Sequence, residues 1–213
     1  MSQEQVISVE NVGLTIGKNV ILRDINMEMC KGKIYGFVGR NGSGKTMLMK
    51  CICGFVRVTD GKITVNGKQV GEDVDFPDNI GIIIENPEFV PYYNGYKNLK
   101  LLADVKKKIG KEEIREAMIM AGLDPDLKLH VGRYSLGMRQ RLGISQAIME
   151  DPDILILDEP MNGLDNEGVE NVRNILLKLK QKGKTIIIAS HNKEDINILC
   201  DKVWNLEHGR IVE

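Results

Sequence analysis

The chain has 213 residues, 42% hydrophobic and 28% charged, a composition that suits one globular domain with a sizeable core, or one domain carrying a small subdomain. Its 29 basic and 30 acidic residues leave a formal net charge of −1, so nothing pulls the whole chain toward nucleic acid or an anionic membrane face, and no nucleic-acid partner is expected. No apolar run reaches the ~20 residues that cross a bilayer. Met1-Ser2-Gln3-Glu4-Gln5 lacks the basic-then-apolar layout of a secretory signal, so any membrane role is expected to come through a partner. The four cysteines, Cys30, Cys51, Cys53 and Cys200, make no C-x-x-C pair and read as small buried hydrophobes, reduced in cytosol.

In chain order, Val6–Val9, Val20–Asp24 and Ile25–Met29 are rich in β-formers. The last alternates Ile25, Met27 and Met29 against Asn26 and Glu28, the period of a half-exposed strand. Gly17-Lys18-Asn19 and Lys31-Gly32-Lys33 have the composition of turns. Ile34–Val38 is an apolar run that ends in glycine, and Gly44–Cys53 has helical spacing stopped by Gly54. Thr59–Lys62 reads as a turn, and Lys62–Val65 before Asn66-Gly67 as a hairpin arm. Ile80–Ile84 is a further run of strand length. From about 87 to 150 the pattern becomes helical, over Asn98–Lys108, Lys111–Ala121 and Leu136–Glu150. Strands Ile154–Leu157, Thr185–Ala189 and Lys202–Leu206 then alternate with helices Asn166–Gln181 and Lys193–Cys200. Apolar strands separated by helices predict a parallel sheet covered on both faces.

Between the run Ile34–Val38 and the helix that follows stands Gly39-Arg40-Asn41-Gly42-Ser43-Gly44-Lys45-Thr46, which fits G-x-x-x-x-G-K-[ST]. Triphosphate oxygens are met by backbone N–H groups, so the chain must curl closely around them; Gly39, Gly42 and Gly44 lack the Cβ that would obstruct this. The helix N-terminus adds unpaired donors and a positive dipole end. Lys45 supplies a point charge for the β and γ phosphates, and the Thr46 hydroxyl is suited to ligating Mg²⁺. The expected fold is therefore α/β: a P-loop NTPase core with a mostly parallel sheet, an N-terminal antiparallel β region and an inserted helical lobe. Residues 1–213 form a single domain on this reading, with 1–86 and 151–213 as the catalytic core and 87–150 as the lobe.

A second acidic motif, Ile154-Leu155-Ile156-Leu157-Asp158-Glu159-Pro160, is a buried strand ending in two carboxylates. Asp158 is the expected holder of the Mg²⁺ or its water. Glu159 beside it is placed to take a proton from an attacking water or to orient it. His191 follows the strand Thr185–Ser190, at the end where ligands gather in such sheets, and is expected to hydrogen-bond the γ-phosphate.

Just before the strand that ends at Asp158, Tyr134-Ser135-Leu136-Gly137-Met138-Arg139-Gln140-Arg141 opens a helix, with Ser135 as a good N-cap and Gly137 permitting close backbone approach. This block resembles the L-S-G-G-Q signature, followed by a basic-Gln-basic run, of the ATP-binding-cassette (ABC) ATPases. The resemblance extends over essentially the whole chain in order: phosphate loop, helical lobe, signature, Asp-Glu pair, Asn162-Gly163-Leu164-Asp165 and switch histidine. It implies an ATPase that drives a transporter, with ATP and Mg²⁺ as cofactors. It also implies a head-to-tail dimer, homomeric or with a second ABC ATPase, in which ATP on one phosphate loop is covered by Ser135, Leu136, Gly137 and Met138 of the other subunit. Asp165 then lies at the dimer seam. The lobe and the segment near Glu85 couple closure to an integral membrane permease, which would hold the subunit on the cytoplasmic face of the membrane.

Three departures from the family pattern matter. Glu85 stands where the family usually has Gln; it keeps the expected coupling role and is a candidate Mg²⁺ ligand, but an ionised carboxylate donates nothing. Leu136 and Met138 replace the usual Gly and Gln of the signature, while the Ser and second Gly remain. Together with Glu85, this pattern looks like the subgroup serving bacitracin- and lantibiotic-type peptide export or self-protection. Ile16, before Gly17, falls where the family stacks an aromatic on adenine, so aliphatic contact is expected there. Subgroup members often continue beyond the core, whereas this chain stops at Glu213, so such an extension is expected to be absent or removed. The alternatives are a soluble non-transport ABC ATPase, whose chromosome and repair versions carry long coiled-coil insertions and whose translation versions carry two cassettes, and a nucleotide-dependent regulatory module, which needs neither Glu159 nor His191. A kinase or GTPase with the same phosphate loop would lack the Ser135–Arg141 block.

Overall fold

The computed structural model describes residues 4–85 and 87–212; the readings made at Met1–Gln3, Asn86 and Glu213 lie outside the described residues. Strands β1 (Gln5–Ile16) and β2 (Asn19–Cys30) form an antiparallel hairpin. The sequence divides β2 at Asp24, but the chain runs through as one strand. Asp24 (φ 48°) and Asn11 (φ 50°) absorb an irregularity in the β1–β2 register, and the Asn26 side chain accepts the Asn11 N–H at 2.8 Å, the work of a bulge.

After β3 (Ile34–Val38) and α1 (Lys45–Ile52) comes β4 (Asp60–Val65) with the short β5 (Lys68–Gln69). Thr59–Lys62, expected as a turn, is largely the start of β4. Gly61 sits at φ 74°, where a Cβ would strike the carbonyls of Glu10 and Asn11; glycine lets the strand come close to β1 without breaking the pairing.

Next come β6 (Ile80–Ile83), α2 (Gly95–Lys106), α3 (Lys111–Met120), a 3₁₀ turn at Val131–Arg133, and α4 (Leu136–Ile148). The α2 helix begins before Asn98 because Asn94 caps it, accepting the Lys97 N–H at 2.9 Å. Asn98 is instead buried inside, exchanging hydrogen bonds with the Val90 main chain at 2.8 and 3.1 Å. The chain closes with β7 (Ile154–Asp158), α5 (Asn166–Gln181), β8 (Thr185–Ala189), α6 (Lys193–Leu199), β9 (Lys202–Glu207) and β10 (Arg210–Val212).

Two sheets result. One has the order β2-β1-β4-β5 and is antiparallel; the other has the order β10-β9-β3-β8-β7-β6 and is parallel except for its β10 edge. Alternation of side chains across a strand explains why the parallel strands are apolar throughout. Leu155, Leu157, Ile186 and Ile188 face a core shared with α2–α5. Ile154, Ile156, Ile187 and Ala189 face a second core, which they share with α1 and the inner face of the antiparallel sheet. Truncating any of these large side chains to Ala is expected to cost about 2–5 kcal/mol. Burial also pushes the Cys51 and Cys53 thiols up to about 12, which keeps them protonated and inert. Between α5 and α6, the buried Arg173 guanidinium meets the buried Asp195 carboxylate at 2.6 and 2.9 Å.

Candidate active site

The parallel order brings the C-terminal ends of β3, β7 and β8 side by side, and each carries one part of the site. From β3 the chain enters the loop Gly39–Thr46. At Gly39 an added Cβ would collide with the Leu206 carbonyl and lie 2.6 Å from Ser43 Oγ, so the loop packs against β9 at a distance only glycine allows. The loop then opens α1, whose first-turn N–H groups point to the same space.

Lys45 is buried, and its ammonium donates to the Gly39 and Arg40 carbonyls at 2.7 and 3.1 Å. Among the described residues no carboxylate pairs with it. Ser43 Oγ is buried with no partner among them. An orphaned hydroxyl and a cation held only by carbonyls, both in a curled loop, are what a polyanion would satisfy. These residues line a cleft of about 560 Å³, room for a nucleotide.

At the end of β7, Asp158 Oδ2 accepts the Thr46 hydroxyl at 2.6 Å. Hydroxyl and carboxylate oxygens are the hard donors Mg²⁺ prefers. The described residues hold no group of three or more His, Cys, Asp or Glu arranged for a metal. A cation here would therefore depend on phosphate oxygens to complete its shell, the usual condition of nucleotide-bound Mg²⁺.

Glu159 takes φ 48°, and three contacts hold it there. Its N–H donates to the Ala189 carbonyl at the end of β8 (2.9 Å), its Oε1 accepts the His191 N–H (3.0 Å), and its Oε2 meets His191 Nδ1 (2.9 Å). A non-glycine residue in this region costs of order 1–3 kcal/mol and is kept where its surroundings over-determine it. The carboxylate lines the cleft, with its side chain still partly exposed. His191 is mostly exposed.

Gln140 is not marked as a site residue by the sequence. It is buried on α4, lines the cleft, and donates to the Pro160 and Glu159 carbonyls at 2.9 and 3.3 Å. Its position in the basic-Gln-basic run was legible; its reach across to the strand end was not.

The signature residues lie elsewhere. Ser135 caps α4, its Oγ accepting the Met138 N–H at 3.2 Å. Ser135 and Leu136 are exposed, and neither they nor Gly137 and Met138 line the cleft of their own chain. Leu136 lies over Gly163, where a Cβ would strike it, and Gly137 faces the Gly163 carbonyl. Asp165 caps α5, accepting the Gly168 N–H at 3.0 Å, and meets Arg141 Nη2 at 3.3 Å. The α4 N-terminus and the loop 162–165 thus form one exposed face.

Glu85 follows β6 at φ 61° and lines the cleft, paired with Lys50 at 2.6 Å. Ile16 is half exposed at the end of β1 and is not among the lining residues, whereas Ile21, across the hairpin, is. The sequence pattern marks Ile16, before Gly17, whereas the packing of the hairpin against the phosphate loop brings Ile21 to the cleft.

A glycine-lined phosphate loop, a Thr–Asp oxygen pair and a carboxylate steadied by a histidine define a P-loop nucleotide hydrolase with a signature helix facing away from its own cleft. Residues 22–162 match the family model described as ABC transporter. The ABC transporter ATP-binding protein YybJ of Bacillus subtilis (strain 168) is 46% identical over 206 residues, 97% of this chain and 94% of that protein. The bacitracin transport ATP-binding protein BcrA of Enterococcus faecalis is 40% identical, over 100% of this chain and 70% of that one. The lantibiotic transport ATP-binding protein SrtF of Streptococcus pyogenes is 35% identical, over 97% and 89%. A dimeric post-hydrolysis structure of the ATP-binding cassette MJ0796, bound to ADP and Pi, superposes with a TM-score of 0.88 over 97% of both chains at 21% identity, which places the fold. The chain belongs to the ABC transporter family as an ATP-binding subunit, and its enzymatic activity is ATP hydrolysis. No helix of the described residues is long and apolar enough to cross a membrane.

Proposed function

We propose that this subunit works as one half of a head-to-tail pair, with a second copy or a related ATPase, and that ATP-driven closure of the pair moves an integral membrane permease. The whole chain acts as one cassette, its core at 1–86 and 151–213 and its lobe at 87–150, peripheral to the cytoplasmic face of the membrane through that permease. The observation that carries the pairing is the exposure of Ser135 on the α4 N-terminus, outside its own cleft. A helix N-terminus offers free N–H groups and a positive dipole end, and the only nucleotide it is shaped to meet belongs to another subunit.

Gly39–Thr46 cradles the triphosphate, with Lys45 exchanging its carbonyl partners for phosphate oxygens. Mg²⁺, when bound between the oxygens of Thr46, Asp158 and Glu85, would neutralise charge on the β and γ phosphates. Glu159 accepts a proton from the attacking water while His191 steadies it and reaches toward the γ-phosphate. The partner subunit's Ser135 and Gly137 close on that phosphate, and Asp165 sits at the seam. Once the phosphate leaves, that attraction is gone and the pair opens. The base rests against Ile16 or, as the cleft lining favours, Ile21.

The names of BcrA and SrtF and their coverage of this chain support a peptide antibiotic of the bacitracin or lantibiotic kind as the transported class. The test of pairing is light scattering of the Glu159→Gln variant with Mg-ATP, which should give a dimer that an added Ser135→Arg change abolishes without loss of ATP binding. A monomer at saturating nucleotide, with the membrane partner present and absent, would sink the proposal. For the substrate class, expression together with the permease it pairs with in a sensitive host should raise the inhibitory concentration of bacitracin or a lantibiotic.

A further inference from the structure

Three carboxylates line the nucleotide cleft, Glu85, Asp158 and Glu159, and each has its own partner: Lys50, Thr46 and His191. Only Glu85 is matched by a permanently charged cation. Lys50 lies on α1 four residues after Thr46, so the two project from one face of that helix. Its ammonium reaches Glu85 Oε1 at 2.6 Å with the lysine side chain 23% exposed and the glutamate 63% exposed. The glutamate backbone sits at φ 61°, and its carboxylate reaches α1 at Lys50.

We propose that Lys50 is a positioning residue for Glu85: it holds that carboxylate at the rim of the cleft and cancels its charge until a metal–nucleotide complex arrives. The inference rests on the reading of Glu85 as facing the metal. A carboxylate in a cleft that must take a triphosphate repels its ligand, whereas an amide at the same place would not and would need no counter-ion. Lys50 offsets that repulsion. It also keeps the oxygen close enough to be exchanged from ammonium to divalent cation, so that the carboxylate has a positive partner both before and after the metal–nucleotide complex arrives. One partly exposed pair is weak enough for such an exchange to be reversible.

The test compares the affinity of a fluorescent, non-hydrolysable ATP analogue in EDTA and in excess Mg²⁺, the ratio of the two giving the metal enhancement. Removing Lys50 with Lys50→Met leaves Glu85 uncompensated, so metal-free binding should weaken and the enhancement should rise about fivefold; Lys50→Arg should keep the original ratio. Glu85→Gln should lower the ratio, and adding Lys50→Met to it should change the ratio by less than about 1.5-fold. Melting curves check that all variants are folded, with Lys50→Gln as a second neutral replacement. An unchanged ratio in both neutral variants overturns the role of Lys50, as does an equal rise in the Glu85→Gln background, which would mean that Lys50 acts on the phosphates directly. A Glu85→Gln variant with the wild-type ratio overturns the metal-facing reading of Glu85 itself, and this inference with it.

Discussion

Glu159→Gln is the most informative single substitution in this subunit. The glutamine keeps the size of the side chain and the oxygen that accepts the His191 N–H at 3.0 Å, but it removes the negative charge and the second acceptor facing His191 Nδ1 at 2.9 Å. The backbone at 159 is held independently, by its N–H to Ala189 and by Gln140 to its carbonyl, so the cleft should keep its shape. Loss of a positioned base costs about 10²–10⁴ in rate, or about 2.7–5.5 kcal/mol of barrier. Lys45, Thr46 and the loop are untouched, so ATP affinity should stay within about threefold of wild type. Bound ATP then persists, and at about 100 times its Kd it stabilises the fold by about 2.7 kcal/mol. At about 2–4 °C per kcal/mol for a chain of this size, the melting midpoint should rise by about 5–11 °C on adding Mg-ATP. Phosphate release and a thermal melt, run on the same preparation, read both quantities. Turnover within about fivefold of wild type would remove Glu159 from the role of base, whatever the melt shows.

Lys45→Ala should reduce ATP affinity by at least about tenfold in calorimetry while the protein stays folded; undiminished affinity would contradict the phosphate-loop assignment. Asp195→Ala removes the buried partner of Arg173 but leaves it the exposed Glu170 and Glu194 carboxylates, so it should cost about 1–3 kcal/mol, lowering the melting midpoint by about 2–12 °C. Because α5 and α6 lie outside the cleft lining, ATP affinity at low temperature should not move. Ile16→Tyr tightens ATP binding if the base rests at the end of β1. If Ile21 carries the base instead, Ile16→Tyr has no effect and Ile21→Ala weakens binding, as equilibrium titration of a fluorescent ATP analogue would report.

Much of the cleft was readable before the fold was known, because its chemistry demands particular residues at short separations. The curl around a phosphate needs glycines at fixed spacing, and an acid at the end of an apolar strand is a pattern confined to five residues. The strand and helix types followed for the same reason: period and run length are local properties, and the parallel strands announced themselves as apolar on both faces. The local misreadings also have a local cause. Asp24 and Gly61 carry the composition of breaks, yet both are irregularities within strands that pair with β1, a partner that no local window around either residue contains.

The sequence by itself determined which groups this protein possesses: a phosphate loop, two adjacent carboxylates, a histidine after a strand and a capped signature helix. Only the tertiary structure decided which of them meet. Glu159 finds His191 across 32 residues, Thr46 finds Asp158 across 112, and Lys50 finds Glu85 across 35, because strand order in the parallel sheet sets these distances and no local pattern encodes strand order. The same packing set Ser135 outside the cleft and chose Ile21 over Ile16 for its lining. Side-chain chemistry is carried residue by residue along the chain, whereas proximity is a property of the whole packed core.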